Sequence, residues 1–258
     1  MNIQTLPRSD VLVKKAFVPK LDWFLFADYD QIELRILAYY LAGIGDYSMA
    51  QVLSNPEGDL HSESAKAIFR LNREPTSEER SLGKSLNFSM VYGGGRPAVL
   101  RYLKEFYKDK EIVPDWSYAG EVLDNFHARW PGLKALQEMI HKVYQKRGWL
   151  ETIAGARIHP VSQNKELNEL VQSSAAEFMR FALLEVCEEL EKRDYQSHPV
   201  CVVHDELILD VYEPELLELI RGLPDWMVRS FPKVLEVLPI LVSLKVSNES
   251  WADAKAIT

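Results

Sequence analysis

The amino-acid sequence predicts an α+β protein, in which a sheet domain carries a helical insertion. The run Trp23–Ala27 is short and apolar, as expected of a buried strand. Residues 199–211 contain two β-rich arms around a polar turn, which predicts a hairpin. Between these segments the apolar residues recur with helical spacing. Strands near both ends of the chain with helices between them are typical of this class.

The first strand and the helix after it frame an acidic corner. The strand is predicted to stop at Asp28. Asp30 can cap the following helix, with Glu33 completing a start that resembles a capping box, and Gly43 is expected to end that helix. Asp28 is therefore expected at a strand-to-helix corner. A carboxylate there can hold a hard cation, or it can simply cap the helix.

Helices fill the middle of the chain. Thr76 is a predicted helix cap with Glu79 at the third position, and this helix should run to about Tyr92. The other helices are predicted at 61–69, 97–108, 118–129, 131–147, 166–192 and 213–231. A hairpin or loop over 148–160 and a last strand over 238–245 complete the prediction.

Length and composition exclude several classes of protein. The chain has 258 residues, 47% hydrophobic and 26% charged, so it is expected to be globular, with one or two domains. Its two cysteines, Cys187 and Cys201, form no pattern typical of a disulfide framework or a zinc site. The N-terminus lacks the apolar core of a signal peptide, and no run of ~18 apolar residues occurs. The sequence therefore predicts a cytoplasmic protein that is neither secreted nor in a membrane.

The net charge of −8 is unevenly distributed. The segment 185–236 alone has a net charge of −8, whereas 80–110 has +5 and 127–157 has +4. The average charge argues against a nucleic-acid partner, since a polyanion attracts basic surfaces. The distribution leaves two interpretations open, solvated helix faces or a basic middle that faces a polyanion.

A second acidic motif lies at the tip of the predicted hairpin. His204, Asp205 and Glu206 interrupt a stretch rich in Val and Leu, where two carboxylates are costly unless they are paired or bind a metal. A solvated turn is the alternative interpretation. Asp28 and Asp205 together could hold two Mg²⁺ ions ~3.5–4 Å apart, an arrangement that stabilises the attacking and leaving oxygens in phosphoryl transfer.

The helix after Thr76 carries an ordered set of side chains. Arg80, Lys84, Phe88 and Tyr92 follow at steps of four, so all four share one face. The set spans ~18 Å, about the reach of an extended nucleoside triphosphate. Cations suit phosphates, and aromatic rings suit a sugar or base. The alternative is an ordinary amphipathic helix with a basic face.

Three motifs resemble those of the family A DNA polymerases, the bacterial DNA polymerase I type. Asp28–Arg35 resembles motif A, Arg80–Gly93 resembles motif B, and Val203–Leu207 resembles motif C. Weaker similarities occur at Asn2–Pro7, Asp59–His61, Trp130–Gly132, Leu150–Thr152 and Asn248–Trp251. The resemblance covers nearly the whole chain, and the motifs occur in family order.

The resemblance implies a right-hand fold reduced to palm and fingers. The antiparallel palm sheet would come from residues 1–58 and 162–258, and the helical fingers from 59–161. The thumb and the exonuclease-like domain that precede the palm in this family are expected to be absent from this chain. The implied activity is template-directed DNA synthesis from deoxynucleoside triphosphates on a primer–template, without proofreading.

The resemblance also implies a role for each motif residue. Asp28 and Asp205 would bind two Mg²⁺ ions, with Mn²⁺ as a substitute, the Tyr29 carbonyl as a further ligand and Glu206 as a supporting carboxylate. Lys84 would also protonate the leaving pyrophosphate. The nucleotide-binding residues implied are Arg80, Lys84, His61 and Gln31 at the triphosphate, Glu33 against a ribose 2′-hydroxyl, Phe88 at the sugar and Tyr92 near the templating position. The DNA-binding residues implied are Asn168, Gln172 and His204 at the primer or template and Arg157 at the DNA backbone.

Of several departures from the family pattern, one concerns helix packing and another concerns partners. Gly83 stands where Ala is usual, which is expected to loosen its helix by ~1 kcal/mol. Without a thumb the chain should grip a duplex weakly and with strong salt sensitivity. A minimal phage-type or split polymerase is therefore an alternative, in which a second polypeptide supplies thumb or exonuclease functions.

Two other functions are compatible with parts of the pattern. His204 and Asp205 could be the His-Asp doublet of a metal phosphohydrolase, but the other histidines show no ligand spacing. The chain could also be a non-catalytic remnant that binds DNA or a partner. A binding scaffold has no need for Asp28, Asp205 and both cations of the helix together, so the polymerase interpretation is favoured.

Overall fold

The computed structural model describes residues 11–91 and 93–257. Packing divides the chain into two compact units. The sheet unit comprises the residues up to Ile32 and those from Ala175 onward, and the helical unit is Glu33–Ser174. The palm and fingers boundaries expected after residues 58 and 161 stay a prediction.

The described residues form strands, α-helices and short 3₁₀ turns. The strands are β1 (Trp23–Tyr29), β2 (Leu150–Glu151), β3 (Arg157–Ile158), β4 (His198–Val203), β5 (Glu206–Val211), β6 (Val242–Ser247) and β7 (Lys255–Ala256). The α-helices are α1 (Val11–Lys15), α2 (Ile32–Ala42), α3 (Ser48–Ser54), α4 (Leu60–Phe69), α5 (Ser77–Val91), α6 (Arg96–Phe106), α7 (Trp116–Arg129), α8 (Gly132–Arg147), α9 (Glu166–Lys192), α10 (Leu216–Val228) and α11 (Pro232–Leu235). The 3₁₀ turns lie at 163–165, 213–215 and 251–253.

The sheet unit contains a five-stranded antiparallel sheet in the order β4-β5-β1-β6-β7. Strand β1 is central, and its residues Leu25, Phe26 and Ala27 are fully buried. Burial of both faces explains why the sequence of β1 is a continuous apolar run rather than an alternating one. Helix α10 packs against β1 and β6. The predicted α+β class and the hairpin over 199–211 are confirmed.

Strand β1 extends beyond its predicted end, and this changes the position of Asp28. The strand continues to Tyr29, so Asp28 lies within the ladder, opposite Glu206 on one side and Ser243 on the other. The strand therefore ends one residue later than predicted, because pairing partners remote in sequence prolong it, and the connection to α2 begins after Tyr29. Helix α2 begins two residues after Asp30, whose carboxylate accepts a hydrogen bond from Ser243 Oγ at 2.7 Å.

The helical unit confirms most of the predicted elements. Helix α5 begins with a capping box, in which the Glu79 amide donates to Thr76 Oγ1 at 3.3 Å and the Thr76 amide donates to Glu79 Oε2 at 2.7 Å. Helix α9 has the predicted bounds. Strands β2 and β3 form the small hairpin, with Gly155 at φ 91° in its turn. None of the helices in residues 11–91 and 93–257 is long and apolar enough to cross a membrane.

Gly83 marks a close approach of α4 and α5. A Cβ atom at this position would lie 2.2 Å from the carbonyl oxygen of His61 and 3.0 Å from the amide nitrogen of Ala65. Both atoms belong to the backbone of α4, so they cannot move aside as the end of a side chain can. The glycine that was expected only to loosen α5 is therefore required for the spacing of the two helices.

Candidate active site

Strand register assembles a cluster of carboxylates in the sheet unit, which we call the carboxylate cluster (Asp28, Asp205 and Glu206). Asp28 on β1 is the direct cross-strand partner of Glu206 on β5. Asp205 lies in the tight turn that joins β4 to β5, and its carbonyl accepts a hydrogen bond from the Tyr29 amide at 3.1 Å. The motif A and motif C carboxylates are thus brought together, as the sequence predicted.

The carboxylate cluster is electrostatically unfavourable. Burial first, and then the negative charges of Asp205 and Glu206, raise the pKa of Asp28 to about 6. Burial likewise raises the pKa of Glu206, although Lys245, 3.7 Å away, acts in the opposite direction. Three like charges in a half-buried site favour a cation, since an added positive charge removes both the repulsion and the desolvation penalty.

The donor atoms of this cluster fit the Mg²⁺ ions that the sequence predicted. Carboxylate oxygens are the ligands that Mg²⁺ prefers, and one or two carboxylates with substrate phosphates are its usual protein site. In the described residues, no three His, Cys, Asp or Glu side chains form a ready-made cation site. A metal here would therefore take further oxygens from the backbone, water or a substrate. The Tyr29 hydroxyl donates to the Met227 carbonyl at 2.6 Å, which anchors the residue whose own carbonyl was predicted as a ligand.

The hairpin tip presents His204 to solvent. This residue has an exposed side chain and a φ of 56°, in the left-handed region that Gly, Asn and Asp adopt most readily. The phosphohydrolase alternative places the His-Asp doublet among further histidine ligands. Here the doublet belongs to a β-hairpin, and the described residues show no cluster of such ligands. The role of His204 at the primer or template stays a prediction.

Helix α5 carries the predicted row of side chains, which we call the cation face (Arg80, Lys84 and Phe88). Lys84 is exposed, and its Nζ lies 6.0 Å from the centre of the Phe88 ring. The Phe88 ring lies 5.9 Å from the His61 ring of α4. Tyr92, the fourth predicted member, lies outside the described residues.

Arg80 already has an anionic partner. Its Nε lies 2.5 Å from Asp59 Oδ2 and its Nη2 lies 3.2 Å from Oδ1, so the contact is bidentate. Asp59 also caps α4 by accepting from the His61 amide at 3.0 Å, and it accepts from Ser62 Oγ at 2.6 Å. Although burial opposes it, these hydrogen bonds hold the pKa of Asp59 below its usual value.

His61 lies inside the helical unit as a neutral ring. It is 3% exposed, and its Nδ1 lies 3.0 Å from Asn87 Nδ2. Burial first, and then the positive charges of Arg80 and Lys84, lower the pKa of His61 to about 4, while Asp59 acts in the opposite direction. A role of His61 at a triphosphate must therefore be that of an uncharged hydrogen-bond donor, and not of a cation.

The other predicted residues are distributed over both units. Gln31 follows β1 in the sheet unit with a φ of 55°. Gln172 of α9 lies 3.5 Å from Glu33 of α2, measured from Nε2 to Oε1. Arg157 is exposed and stacks over the Trp149 ring at 4.4 Å. Gln31 Oε1 and Asn168 Oδ1 are buried polar atoms without a hydrogen-bond partner among the described residues.

Sequence reasoning missed two residues next to the predicted site. Asp59 lies in a segment of weak family similarity and had no predicted role, although an Asp directly before a helix is a recognisable cap. Asn87, which contacts His61, also had no predicted role. No sequence signal could have revealed that contact, because it depends on the packing of α4 against α5.

A family model and curated relatives identify the same family of proteins. The family model described as DNA polymerase family A matches residues 1–253. The DNA polymerase I proteins of Lactococcus lactis subsp. lactis (strain IL1403) and Bacillus subtilis (strain 168) are each 28% identical across 98% of this chain. The chain spans 29% of the length of each of these curated relatives.

A solved structure shows the same fold. It is the POL domain of Pol1 from M. smegmatis in complex with DNA primer–template and dNTP, with a TM-score of 0.82 and 24% sequence identity. The similarity covers 98% of this chain and 45% of that chain.

Proposed function

Because this chain belongs to DNA polymerase family A, we propose that it is a template-directed DNA polymerase that adds deoxynucleotides to a primer 3′-hydroxyl. The observation that carries the proposal is the register that places Asp28 opposite Glu206 and next to Asp205. This cluster suits phosphoryl transfer, in which catalysis rests on positioning and on stabilisation of developing charge. The reaction would take place in the cytoplasm of a bacterial or phage-infected cell.

The carboxylate cluster would hold the metal ions. Asp28 and Asp205 would bind two Mg²⁺ ions, or Mn²⁺ in their place, with the Tyr29 carbonyl as a further ligand. When bound, such ions neutralise the phosphate charge and activate the attacking hydroxyl. Glu206 would support the cluster, and Lys245 at 3.7 Å limits its negative charge.

The cation face would hold the nucleotide. Arg80 and Lys84 would bind the triphosphate, together with His61 and Gln31. Arg80 would exchange Asp59 for a phosphate oxygen, since both present a pair of anionic oxygens to the guanidinium fork. Lys84 would protonate the pyrophosphate as it leaves. The remaining contacts proposed are Glu33 against a ribose 2′-hydroxyl, Phe88 at the sugar and Tyr92 near the templating base.

Contacts to primer–template DNA would come from polar side chains and one cation. Asn168, Gln172 and His204 would contact the primer or template, and Arg157 the DNA backbone. The buried Oδ1 of Asn168, which lacks a partner among the described residues, supports its assignment, because such atoms normally find one.

Primer extension with Mg²⁺ and four deoxynucleoside triphosphates tests the proposal. Asp205→Ala should reduce incorporation at least ~10³-fold, since it removes a metal-binding carboxylate. Asp225→Ala is the matched control, because Asp225 is exposed on α10 and outside the cluster. Equal extension by the wild type and Asp205→Ala would refute the assignment.

A second candidate is a polymerase subunit that depends on another polypeptide for thumb or exonuclease functions. Extension that appears only after addition of an extract of host or phage-infected cells would support it. Extension by the purified chain alone would exclude it.

A further inference from the structure

A buried hydrogen-bond network surrounds His61 in the helical unit. Asn87 Nδ2 lies 3.0 Å from His61 Nδ1 and 3.2 Å from the Leu60 carbonyl oxygen. Ser64 Oγ lies 2.6 Å from Asn87 Oδ1, and Trp130 Nε1 lies 2.9 Å from Ser64 Oγ. The side chains of His61, Ser64, Asn87 and Trp130 are at most 3% exposed.

The chemistry of these groups fixes every proton in the network. A backbone carbonyl oxygen only accepts, so the Asn87 side-chain atom 3.2 Å from the Leu60 carbonyl oxygen must be its NH₂ nitrogen. Ser64 Oγ accepts from Trp130 Nε1 and donates its own hydrogen to Asn87 Oδ1. The carbonyl oxygen of the Asn87 amide therefore faces Ser64, and its NH₂ group faces the Leu60 carbonyl and His61 Nδ1. Because an NH₂ group only donates, Nδ1 must accept, and the single ring proton of neutral His61 is on Nε2.

We propose that Asn87 is a positioning residue, which fixes His61 in the Nε2–H tautomer so that the ring presents one uncharged donor to a phosphate oxygen of a bound deoxynucleoside triphosphate. This inference rests on the proposed function for its ligand. Asn87 would act through His61 and would not itself contact the nucleotide.

The charges around His61 explain why a neutral donor suits this position. Arg80 and Lys84 already supply two cations, and both disfavour a third positive charge on the ring, while Asp59 favours it. With its pKa at about 4, the ring keeps its Nε2 proton and stays uncharged at neutral pH. A fixed tautomer then matters, because a neutral ring protonated at Nδ1 would offer a lone pair at Nε2 and would repel phosphate.

Asn87→Asp tests the inference by exchanging a donor for an acceptor of the same size. An ionised Asp can accept from Nδ1 but cannot donate to it, so it should draw the single ring proton from Nε2 to Nδ1. The tautomer is read by ¹⁵N NMR of histidine-labelled protein at neutral pH, without nucleotide. The wild type should show Nε2 protonated and Nδ1 unprotonated, and Asn87→Asp should show protonated Nδ1.

Binding of dTTP with Mg²⁺ supplies the second readout. Asn87→Asp should weaken binding about 2- to 10-fold, the equivalent of one neutral hydrogen bond. Asn125→Asp is the matched control, since Asn125 is a helical amide of the same unit that donates to the Ile68 carbonyl at 3.5 Å and does not contact His61. The control should leave both the tautomer and the affinity unchanged.

Each outcome decides one part of the question. Protonated Nδ1 in the wild type, or an unchanged tautomer in Asn87→Asp, overturns the inference and leaves the polymerase function standing. A changed tautomer with unchanged dTTP affinity overturns the positioning role. A wild type that extends no primer refutes the proposed function, while the NMR result still decides the tautomer. If Asn87→Asp does not fold, Asn87→Ala replaces it, because it also removes the donor to Nδ1, and an unchanged proportion of the Nε2–H tautomer in that variant overturns the inference.

Discussion

The carboxylate cluster and the cation face carry opposite charges, and the protein stabilises them in opposite ways. Like charges surround Asp28, and its pKa is raised to about 6. Arg80, in contrast, has a bidentate partner in Asp59, whose pKa is lowered. The strand register concentrates negative charge in the carboxylate cluster, and a bound cation would balance it. In the helical unit, the carboxylate of Asp59 already balances the charge of Arg80. We infer that metal binding relieves strain in one unit, while nucleotide binding must displace a contact in the other.

The largest effect is expected from a substitution that disturbs the spacing between α4 and α5, the helix that carries the cation face. Gly83→Ala places a methyl group 2.2 Å from the His61 carbonyl oxygen and should lower the free energy of unfolding by about 1–3 kcal/mol. Urea denaturation measures this change. Gly120→Ala is the control, because the three atoms nearest to its Cβ would all belong to the flexible guanidinium of Arg96, the first of them at 2.8 Å. An equal loss in both variants would contradict the role of the close approach.

Removal of one charge from the carboxylate cluster tests whether repulsion and burial of its carboxylates destabilise the folded state. Below a pH of about 4 Asp28 is protonated in both the folded and unfolded states. Between about 4 and 6 the folded state retains a proton that the unfolded state has lost, so stability falls as the pH rises, and above about 6 the loss is complete. Asp28→Asn should therefore be more stable than the wild type at pH 7, by about 1 kcal/mol after allowance for solvent screening.

Metal-free thermal unfolding of the wild type and Asp28→Asn across pH 3.5–7 measures the difference, and the subtraction cancels other titrating groups. The difference should grow between pH about 4 and 6 and then stay constant. Saturating Mg²⁺ should abolish it by stabilising the wild type. If the wild type is more stable than Asp28→Asn at pH 7 without metal, the charge of Asp28 does not destabilise the folded state.

The smallest expected effect concerns the partner of Arg80. Asp59→Asn keeps an N-cap for α4 but removes the charge that competes for Arg80. Binding of dTTP with Mg²⁺ should become tighter by up to about fivefold, since a partly exposed ion pair is worth at most about 1 kcal/mol. Fluorescence titration measures the affinity.

The control for Arg80 breaks an ion pair of similar nitrogen–oxygen distance elsewhere in the helical unit. Glu74→Gln removes the partner of Lys66, 2.6 Å away, and should leave dTTP affinity unchanged. Weaker binding in Asp59→Asn would mean that Asp59 orients Arg80 for the nucleotide and does not compete with it.

Local signals in the sequence predicted much of the molecule. The Thr76–Glu79 capping box, the bounds of α9 and the polar turn between β4 and β5 each depend on neighbouring residues, and each was found as predicted. The end of β1 was not, because the ladder to β5 and β6 prolongs it to Tyr29.

The candidate site shows the same division. The helical step of four placed Arg80, Lys84 and Phe88 on α5, but it could not reveal that Asp59 holds Arg80 or that Asn87 holds His61. Each of these contacts joins residues more than twenty positions apart through the packing of α4 on α5. The position of a side chain on its helix was predictable from the sequence, whereas the residue that it contacts in the folded protein was not.

The left-handed backbone at His204 sets the demands of folding against those of activity. A turn with a φ of 56° is made most easily by Gly, Asn or Asp. Efforts to make this protein more heat-resistant through better turn residues would therefore choose position 204 early. The same substitution would delete the imidazole that we assign to the primer or template. Substitutions in the β4–β5 turn that raise stability are therefore expected to lower the rate of nucleotide incorporation.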